Sequence, residues 1–257
     1  MMNKICVFIG GKQIGVDCLR ILLKKRIIPQ LVIGNIDDTG KDSWHESLVR
    51  VAKEFKIFTI KQTKVKDPKV IEKIQKINPE VILCIGGTQM IPLQVLNIPK
   101  MGCLNIHPAL LPKYRGRFST VHALFNGEKY IGVSAHWMDE GIDSGPVIFQ
   151  TKFKVEEFDT AMEVYDKFTK EGAKLFTKFI NYWITAKKFI AKAQDKKAAT
   201  YYPKGLPNNG QIDWSWDGQK ILRFIKAMTF PPFPPAEFRI GDKEMVIVDK
   251  KYFKGFK

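Results

Sequence analysis

Two polar side chains close an apolar segment near the middle of the chain. Residues 102–107 read Gly-Cys-Leu-Asn-Ile-His, which is typical of a buried strand that ends in Asn105 and His107. Because successive strand residues point to opposite faces, these two side chains lie on the same face. An amide donor beside an imidazole can stabilise an oxyanion and transfer a proton. The pair therefore marks a candidate catalytic site.

Two loops follow this strand and carry the charges that such chemistry needs. Residues 108–116 form a proline-framed loop rich in cations, and residues 139–145 hold Asp143 between two glycines. The glycines permit a tight turn, so we expect Asp143 to reach His107 and fix its tautomer, or to relay a proton through water. His136 precedes the second loop and is interpreted as a structural histidine.

A glycine-rich turn follows the first apolar segment of the chain. Gly10, Gly11 and Lys12 suggest a phosphate-binding loop, but Gln13 stands where a P-loop needs Ser or Thr. The spacing of a dinucleotide-binding glycine motif is absent as well. Two interpretations remain: a tight strand-to-helix turn, or a helix N-terminus near an anion to which Lys12 contributes.

The elements that position these residues alternate between strands and helices. Continuous apolar segments predict strands, and apolar residues at helical spacing predict helices. Together they indicate an α/β fold with a Rossmann-like, mostly parallel sheet covered on both faces. Ligands of such sheets bind at the carboxyl ends of the strands. The predicted strands are 5–9, 31–33, 57–60, 81–85, 102–107, 132–137 and 147–152, and the predicted helices are 14–25, 44–55, 68–77, 119–126 and 160–186.

The composition of the chain changes after the long helix. Residues 187–207 are basic and weakly periodic, which is typical of a linker that crosses the surface. A helix at 217–228 and a hairpin at 236–248 follow. We therefore expect a catalytic domain at 1–186 and a linker with a small helix-and-hairpin unit at 187–257.

The overall composition excludes several classes of protein. With 257 residues, 45% hydrophobic and 26% charged, the chain is not disordered, collagen-like or disulfide-rich. The net charge of +16 predicts anionic ligands, yet 35 Lys and 7 Arg spread along the chain favour a solvated surface over nucleic-acid binding. No apolar run reaches about 18 residues and no cysteine pair has CxxC spacing. We expect a cytoplasmic protein with no membrane, metal or nucleic-acid partner.

Two motifs together resemble those of the folate-dependent formyltransferase family. They are N-I-H-P-A-L-L-P-K-Y-R-G at 105–116 and H-W-M-D-E-G-I-D-S-G at 136–145. The likeness covers about residues 1–186 as the catalytic domain and continues more weakly through 212–239. It also implies that the Leu111–Pro112 bond is cis.

The resemblance implies that N10-formyltetrahydrofolate donates a formyl group to a neutral primary amine. The family's catalytic residues correspond to Asn105, His107 and Asp143, and no metal is required. An apolar slot would hold the pterin ring of the donor. The residues expected to bind the donor are Ile85, Gly86, Gly87, Thr88, Gln89, Met90, Met138, Asp139, Gly141 and Ile142.

Within this family the chain is most similar to the nucleotide-sugar N-formyltransferases, through its P-K-Y-R-G loop and an A-x-Y-Y-P-K stretch at 199–204. This implies a nucleotide-linked amino-deoxysugar as acceptor, most specifically dTDP-4-amino-4,6-dideoxyglucose for bacterial surface polysaccharide (O-antigen). The C-terminal hairpin is expected to pair two subunits in a homodimer. The residues expected to bind the acceptor are Lys12, Lys113, Tyr114, Arg115, Tyr201, Tyr202 and Lys204.

Other members of the family and other classes of protein remain alternatives. Glycinamide ribonucleotide formyltransferases usually end near the long helix, and methionyl-tRNA formyltransferases carry a larger C-terminal barrel, so both are expected to fit less well. A basic RNA-binding protein on the same fold predicts arginine-rich patches, and the arginines here are dispersed. A nicotinamide oxidoreductase would need the missing glycine motif. The base of the nucleotide and the position of the amine stay open.

Overall fold

The structure is a computed structural model that describes residues 4–61, 63–249 and 251–252. The strands are β1 Cys6–Gly10, β2 Leu31–Gly34, β3 Thr59–Ile60, β4 Val81–Ile85, β5 Cys103–His107, β6 Arg115–Gly116, β7 Tyr130–Trp137, β8 Val147–Lys154, β9 Tyr201–Tyr202, β10 Ala236–Ile240 and β11 Lys243–Ile247. The helices are α1 Lys12–Lys24, α2 Leu48–Glu54, α3 Pro68–Ile77, α4 Leu93–Leu96, α5 Ser119–Phe125, α6 Ala161–Ile184 and α7 Gly218–Met228. Among the described helices, none is long and apolar enough to cross a membrane.

Within the part of the chain that the structure describes, seven strands form the central sheet in the order β3-β2-β1-β4-β5-β7-β8. The pairs β1–β2, β1–β4, β2–β3 and β4–β5 are parallel, and β5–β7 is antiparallel. The predicted α/β class with a Rossmann-like, mostly parallel sheet is confirmed. The strand order reverses between β1 and β4, and ligands of such sheets bind near this point at the carboxyl ends of the strands.

The first strand shows that the sheet is covered on both faces. Val7 and Ile9 belong to a buried cluster with Val70 and Ile74 of α3. Phe8, which points to the opposite face, has no exposed surface either. A shift of register by one residue would turn Val7 and Ile9 away from the cluster with α3 and put Phe8 in their place. Packing therefore fixes the register of β1.

Capping side chains explain where α3 begins and ends. Asp67 caps its N-terminus, Pro68 occupies the first turn, and Asn78 ends the helix in the left-handed conformation. Because all three signals are local, the predicted bounds of 68–77 agree with the structure.

By contrast, α2 is shorter than the helix predicted at 44–55, because Ser47 caps it. The hydroxyl of Ser47 accepts a hydrogen bond from the backbone nitrogen of Arg50 at 3.0 Å and donates to Asp38 at 2.5 Å. The backbone nitrogen of Ser47 donates to Asp42 at 2.9 Å. These bonds hold the preceding residues in a loop, although their apolar spacing continues the helical pattern.

The chain forms two compact units, each with its own core. The first unit contains the chain up to His107, Ser134–Gln150 and Thr169–Gln194. The second unit contains Pro108–Val133, Thr151–Phe168 and the described residues from Asp195 onward. The domain boundary expected after residue 186 stays a prediction.

In the second unit, a core forms from α5, α7 and the C-terminal hairpin. Phe224 and Met228 of α7 are buried there with Leu124 of α5 and Ala236 of β10. The predicted hairpin is present, since β10 and β11 pair antiparallel on either side of Gly241-Asp242. The segment predicted as a linker contains β9, which pairs in parallel with β6. This segment is therefore held by main-chain hydrogen bonds.

Candidate active site

The pairing of β5 with β7 places Asn105 opposite His136. The side-chain nitrogen of Asn105 lies 3.1 Å from Nε2 of His136. Nδ1 of His136 lies 2.9 Å from the carbonyl oxygen of Trp137, a group that can only accept a hydrogen bond. Nδ1 of His136 therefore donates to this carbonyl, and its Nε2 accepts from the side-chain nitrogen of Asn105. This contact orients the Asn105 amide.

Asp143 joins this pair from the turn after β7. Its Oδ1 accepts a hydrogen bond from Nδ2 of Asn105 at 3.2 Å, and its Oδ2 lies 3.4 Å from Nδ1 of His107. Oδ1 also lies 3.6 Å from Nε2 of His136. The structure thus brings together the three residues predicted as catalytic. His136, which the sequence indicates only as a structural histidine, is the fourth member of the cluster.

Burial differs among the members of this cluster. His107 is 5% exposed and His136 is 1% exposed, whereas Asn105 is half-buried. Hydrogen bonds and charges act more strongly in such a shielded setting than in water. The arrangement can therefore stabilise negative charge on a reacting oxygen and move a proton.

Asn35 holds the backbone segment that follows β4. It donates to the carbonyl oxygen of Gly86 at 3.0 Å and accepts from the backbone nitrogen of Thr88 at 3.1 Å. Gly86 has a φ of 64°, and a Cβ there would lie 2.2 Å from the carbonyl oxygen of Gly11, so only glycine fits. A Cβ at Gly87 would meet no described atom within 4 Å. The segment therefore presents open backbone at Gly87.

Other residues of this segment divide between the core and the surface. Ile85 has no exposed surface, and its carbonyl oxygen accepts a backbone hydrogen bond from the turn before α1. Gln89 accepts from the backbone nitrogen of Val65 at 3.0 Å and donates to the carbonyl oxygen of Thr63 at 3.2 Å. Met90 is 70% exposed. The side chain of Gln89 thus holds the backbone at Thr63 and Val65, and the exposed side chain of Met90 can contact a ligand.

The turn after β7 contains the second group of residues predicted to bind the donor. Met138 packs against the core cluster of the first unit. Oδ1 of Asp139 accepts hydrogen bonds from the backbone nitrogen of Gly141 at 3.2 Å and from the hydroxyl of Ser144 at 2.6 Å. Ile142 is 38% exposed. Asp139 therefore shapes the turn, and Ile142 presents apolar surface.

In the second unit, β6, β9 and the residues next to them in sequence include most of the residues predicted to bind the acceptor. Arg115 and Gly116 pair with β9. The ring of Tyr201 lies so close to Gly116 that a Cβ there would be 3.0 Å from it. Tyr201 is 53% exposed, and Lys113 and Lys204 are exposed as well. This surface offers an aromatic face and cations.

Tyr114 and Tyr202 make internal contacts instead. Tyr114 is 8% exposed, and its hydroxyl donates to Glu128 at 2.9 Å. The hydroxyl of Tyr202 accepts from Asn126 at 2.9 Å. Burial, with the neighbouring Glu128 carboxylate, raises the pKa of Tyr114 well above its ordinary value. Contact of these two tyrosines with the acceptor stays a prediction.

Lys12 begins α1 with a φ of 57°. A Cβ at Gly10 would lie 1.9 Å from the carbonyl oxygen of Ile85, so the turn packs closely against the end of β4. This contact supports the interpretation as a tight turn. A contact of Lys12 with an anion stays a prediction.

All four cysteines lie in the described residues, and each is buried and free. Burial, with a smaller effect of Glu80, raises the pKa of the Cys6 thiol to about 12, so this thiol is unreactive at neutral pH. Within the described ranges, no group of three His, Cys, Asp or Glu side chains could hold a metal ion. The Leu111–Pro112 bond is cis, as the resemblance implies.

The fold and the cluster at the end of β5 define an α/β enzyme of the group-transfer type. The family model for formyl transferases matches residues 3–180, which is more than half of the chain. A methionyl-tRNA formyltransferase of Thermodesulfovibrio yellowstonii is 30% identical over 257 residues, covering 99% of this chain and 82% of that protein. The chain belongs to the folate-dependent formyltransferase family, and it is an N-formyltransferase.

Sugar N-formyltransferases are also similar to this chain. GDP-perosamine N-formyltransferase of Brucella melitensis is 37% identical over 166 residues, covering 65% of this chain and 63% of that protein. The crystal structure of WlaRD, a sugar 3N-formyltransferase in the presence of dTDP and 5-N-formyl-tetrahydrofolate, has a TM-score of 0.75 and 27% identity, covering 90% of this chain and 80% of that one. An N-formyltransferase from Helicobacter canadensis, in complex with folinic acid and dTDP-3-aminofucose, has a TM-score of 0.78 and 26% identity, covering 95% and 87%.

The residues of the first unit fit the folate donor that this family uses. Gly87 leaves room for a flat ring to approach the backbone, because no described atom would meet a Cβ there. Met90 and Ile142 expose apolar side chains of the kind that cover an aromatic ring. Asn35 fixes the backbone amide and carbonyl groups beside Gly87.

Proposed function

We propose that the chain transfers the formyl group of N10-formyltetrahydrofolate to the amine of a nucleotide-linked amino-deoxysugar. The cluster at the end of β5 carries this proposal, because Nδ2 of Asn105 and Nδ1 of His107 lie 3.2 and 3.4 Å from the Asp143 carboxylate. Formyl transfer to an amine requires hydrogen-bond donors for a developing oxyanion and a group that accepts a proton. The cluster contains both.

The three residues have distinct roles in the proposed reaction. The donor supplies an activated formyl group, and a neutral amine attacks its carbon. Negative charge then develops on the formyl oxygen. One N–H of Asn105 turns from its present acceptor to this oxygen, and protonated His107 donates to it from Nε2. Asp143 accepts from Nδ1 of His107 and so stabilises the imidazolium. Through a bound water, Asp143 carries the proton from the attacking amine to the departing N10 nitrogen.

The similar sugar N-formyltransferases support a nucleotide sugar as acceptor. In the second unit, the exposed ring of Tyr201 suits stacking with a base, and the exposed ammonium groups of Lys113 and Lys204 suit a pyrophosphate. The particular acceptor that we propose is dTDP-4-amino-4,6-dideoxyglucose. Its formylated product would enter a bacterial surface polysaccharide such as O-antigen.

A methionyl-tRNA formyltransferase is the second candidate function. Such enzymes from Thermodesulfovibrio yellowstonii and Clostridioides difficile are 30% and 31% identical to this chain. The net charge of +16 also suits a polyanion such as tRNA. Tight tRNA binding would weaken steeply with salt, because phosphate contacts release counterions.

A formylation assay with a panel of acceptors tests the proposed function. The purified protein is incubated with N10-formyltetrahydrofolate and dTDP- or UDP-linked 4-amino and 3-amino sugars, GDP-perosamine, or methionyl initiator tRNA. Mass spectrometry detects the gain of one formyl group, and the Asp143→Asn protein is the control. Formylation of a sugar nucleotide supports the proposal. Formylation of tRNA alone favours the second candidate, and formylation of neither contradicts both.

We propose that the C-terminal hairpin joins two copies in a homodimer. Ile240, Met245 and Val246 of this hairpin are 65%, 44% and 55% exposed, so it presents apolar side chains that a second copy could cover. Val246→Asp combined with Ile240→Asp is expected to release monomers on light scattering. Leu222→Asp, at an exposed apolar position of α7, is the control. An unchanged dimer in the hairpin variant would contradict this interface.

The compartment that we propose for the reaction is the cytoplasm. All four cysteines are buried and free, which is usual for proteins of a reducing compartment. Fractionation of cells that express the tagged protein is expected to recover it with the cytoplasmic enzymes, and recovery outside the cytoplasm would contradict this placement.

A further inference from the structure

Gln194 lies beyond α6 and binds the turn that carries Asp143. Its side-chain nitrogen donates to the carbonyl oxygen of Asp143 at 2.8 Å and to that of Gly145 at 2.7 Å. An amide NH2 group has two hydrogens, so one side chain satisfies both carbonyl groups. We infer that Gln194 is a positioning residue for formyl transfer, which rests on the proposed role of Asp143.

The backbone of this turn needs external support. Asp143 has a φ of 51°, in the left-handed region that a residue with a side chain rarely adopts. A Cβ at Gly145 would lie 2.0 Å from the carbonyl oxygen of Trp137, so the chain passes very close to the end of β7 there. A strained conformation persists when its surroundings determine it. The two hydrogen bonds from Gln194 hold the carbonyl groups of Asp143 and Gly145, on either side of Ser144, and so stabilise this conformation.

The segment that carries Gln194 is itself anchored to the first unit. Lys192 and Val147 exchange two backbone hydrogen bonds of 2.8 Å each. The ring of Phe189 stacks on Phe179 of α6 at 4.7 Å and meets Trp137 edge-on at 5.8 Å. Gln194 therefore extends from a fixed support, so its hydrogen bonds can hold the turn in one place.

The carboxylate of Asp143 depends on this placement. Its contacts with Asn105 and His107, at 3.2 and 3.4 Å, are near the upper limit of hydrogen-bond distances, so a displacement of the turn away from them would break these contacts. A displacement of about 1 Å at a reacting group can lower a rate by about 100-fold. Gln194 donates to the carbonyl oxygens of Asp143 and Gly145, so we expect it to act on Asn105 and His107 through the placement of Asp143.

Two substitutions test this role, with a matched control. Gln194→Ala removes both donors, and Gln194→Glu keeps the shape of the side chain but replaces the NH2 group by a carboxylate oxygen. Both variants are expected to lower kcat about 10- to 100-fold while KM for donor and acceptor changes little. Gln211→Ala is the control, because the Gln211 amide instead donates to Glu237 at 2.8 Å. Full kcat in Gln194→Glu would overturn the inference.

Hydrogen–deuterium exchange gives a readout that needs no substrate. Backbone amides of residues 139–147 are expected to exchange at least about 10-fold faster in Gln194→Ala than in wild type and in Gln211→Ala, because opening of the turn becomes easier. Unchanged exchange would overturn the inference whatever the acceptor of the enzyme is.

A double-mutant cycle with Asp143→Asn separates this inference from the proposed function. If Gln194 acts through Asp143, Gln194→Ala costs little further activity in the Asp143→Asn protein. If the fold-losses in activity of the two substitutions multiply in the double variant, the positioning role of Gln194 is overturned and the role of Asp143 stays intact. Normal activity of Asp143→Asn alone would overturn the proposed mechanism, and the exchange measurement would still decide whether Gln194 holds the turn.

Discussion

The rings of Tyr114 and Tyr202 stack, with centroids 5.3 Å apart and planes inclined by 9°. Tyr202 also stacks on His122 at 4.2 Å. Such aromatic pairs contribute about 0.5–1.5 kcal/mol beyond the burial of their area. The stack ties the loop before β6 to β9, so Tyr202 frames this loop. Tyr201, its neighbour in sequence, presents an exposed ring.

Alanine substitutions at these neighbouring tyrosines are expected to have different effects. Tyr201→Ala removes a stacking face and raises KM for the nucleotide sugar about 5- to 100-fold, with little change in Tm. Tyr202→Ala breaks the internal stack and lowers Tm by about 5 °C or more. Steady-state kinetics and thermal unfolding measure both effects. An unchanged KM in Tyr201→Ala would place the base elsewhere.

Gly86 and Gly87, which follow β4, allow a structural role and a ligand-binding role to be tested separately. Gly86→Ala brings a Cβ within 2.2 Å of the Gly11 carbonyl oxygen, so the variant is expected to unfold at a markedly lower temperature. Gly87→Ala meets no described protein atom within 4 Å, so its Tm is expected to stay near wild type. If the pterin packs on Gly87, this variant raises KM for the donor. Wild-type KM for the donor in Gly87→Ala would argue against that contact.

Asn105 variants test the proposed oxyanion contact. Asn105→Ala removes one donor and is expected to lower kcat by about 10²- to 10³-fold. Asn105→Asp is expected to be at least as slow, because it places a second carboxylate beside Asp143. Single-turnover kinetics at saturating substrates measure the chemical step. The control is Asn97→Ala at the exposed end of α4, and wild-type rates in Asn105→Ala would remove this residue from the mechanism.

The carboxylate of Glu163, at the start of α6, binds C-terminal residues of the second unit. Lys251 donates to it at 2.6 Å, the backbone nitrogen of Thr160 donates at 2.9 Å, and the hydroxyl of Tyr252 donates as well. Burial by itself would raise the pKa of Glu163, but these hydrogen bonds prevail and lower it from 4.5 to about 2. Because the pKa is lower in the folded state, the stabilisation is present above about pH 4.5 and is lost as the pH falls toward 2.

Glu163→Gln is therefore expected to remove part of the acid sensitivity of the fold. The variant unfolds at a lower Tm than wild type near neutral pH, and this difference narrows as the pH falls from about 5 to 2. Thermal unfolding across this range measures it, with Glu140→Gln at an exposed position as control. A constant difference in Tm at every pH would contradict the lowered pKa.

Elements with complete local signals were predictable from the sequence, and elements fixed by distant partners were not. The helix α3 has a cap at each end, and the apolar strand β4 ends at glycines, so both have the predicted bounds. The strands β6 and β9 have two residues each, too few for any periodicity. Their pairing joins Arg115 to Tyr201, and nothing near either residue indicates the other.

The candidate site shows the same division. The sequence places Asn105, His107 and Asp143 in recognisable motifs, so their meeting was predictable. Gln194 and Asn35 each hold backbone groups through one side-chain amide. A single amide beyond the motifs carries no pattern of its own, and only the folded chain indicates which carbonyl it reaches.

The pairing of Arg115 with Tyr201 sets an order of events while the protein is being synthesised. At a synthesis rate of about 5–20 residues per second, β9 leaves the ribosome several seconds after β6 and the loop before it. A nascent chain that has just completed α6 already contains Asn105, His107 and Asp143, but it lacks Gln194 and the strand that pairs with β6. We therefore expect formyl transfer to reach its full rate only after Gln194 and β9 have emerged.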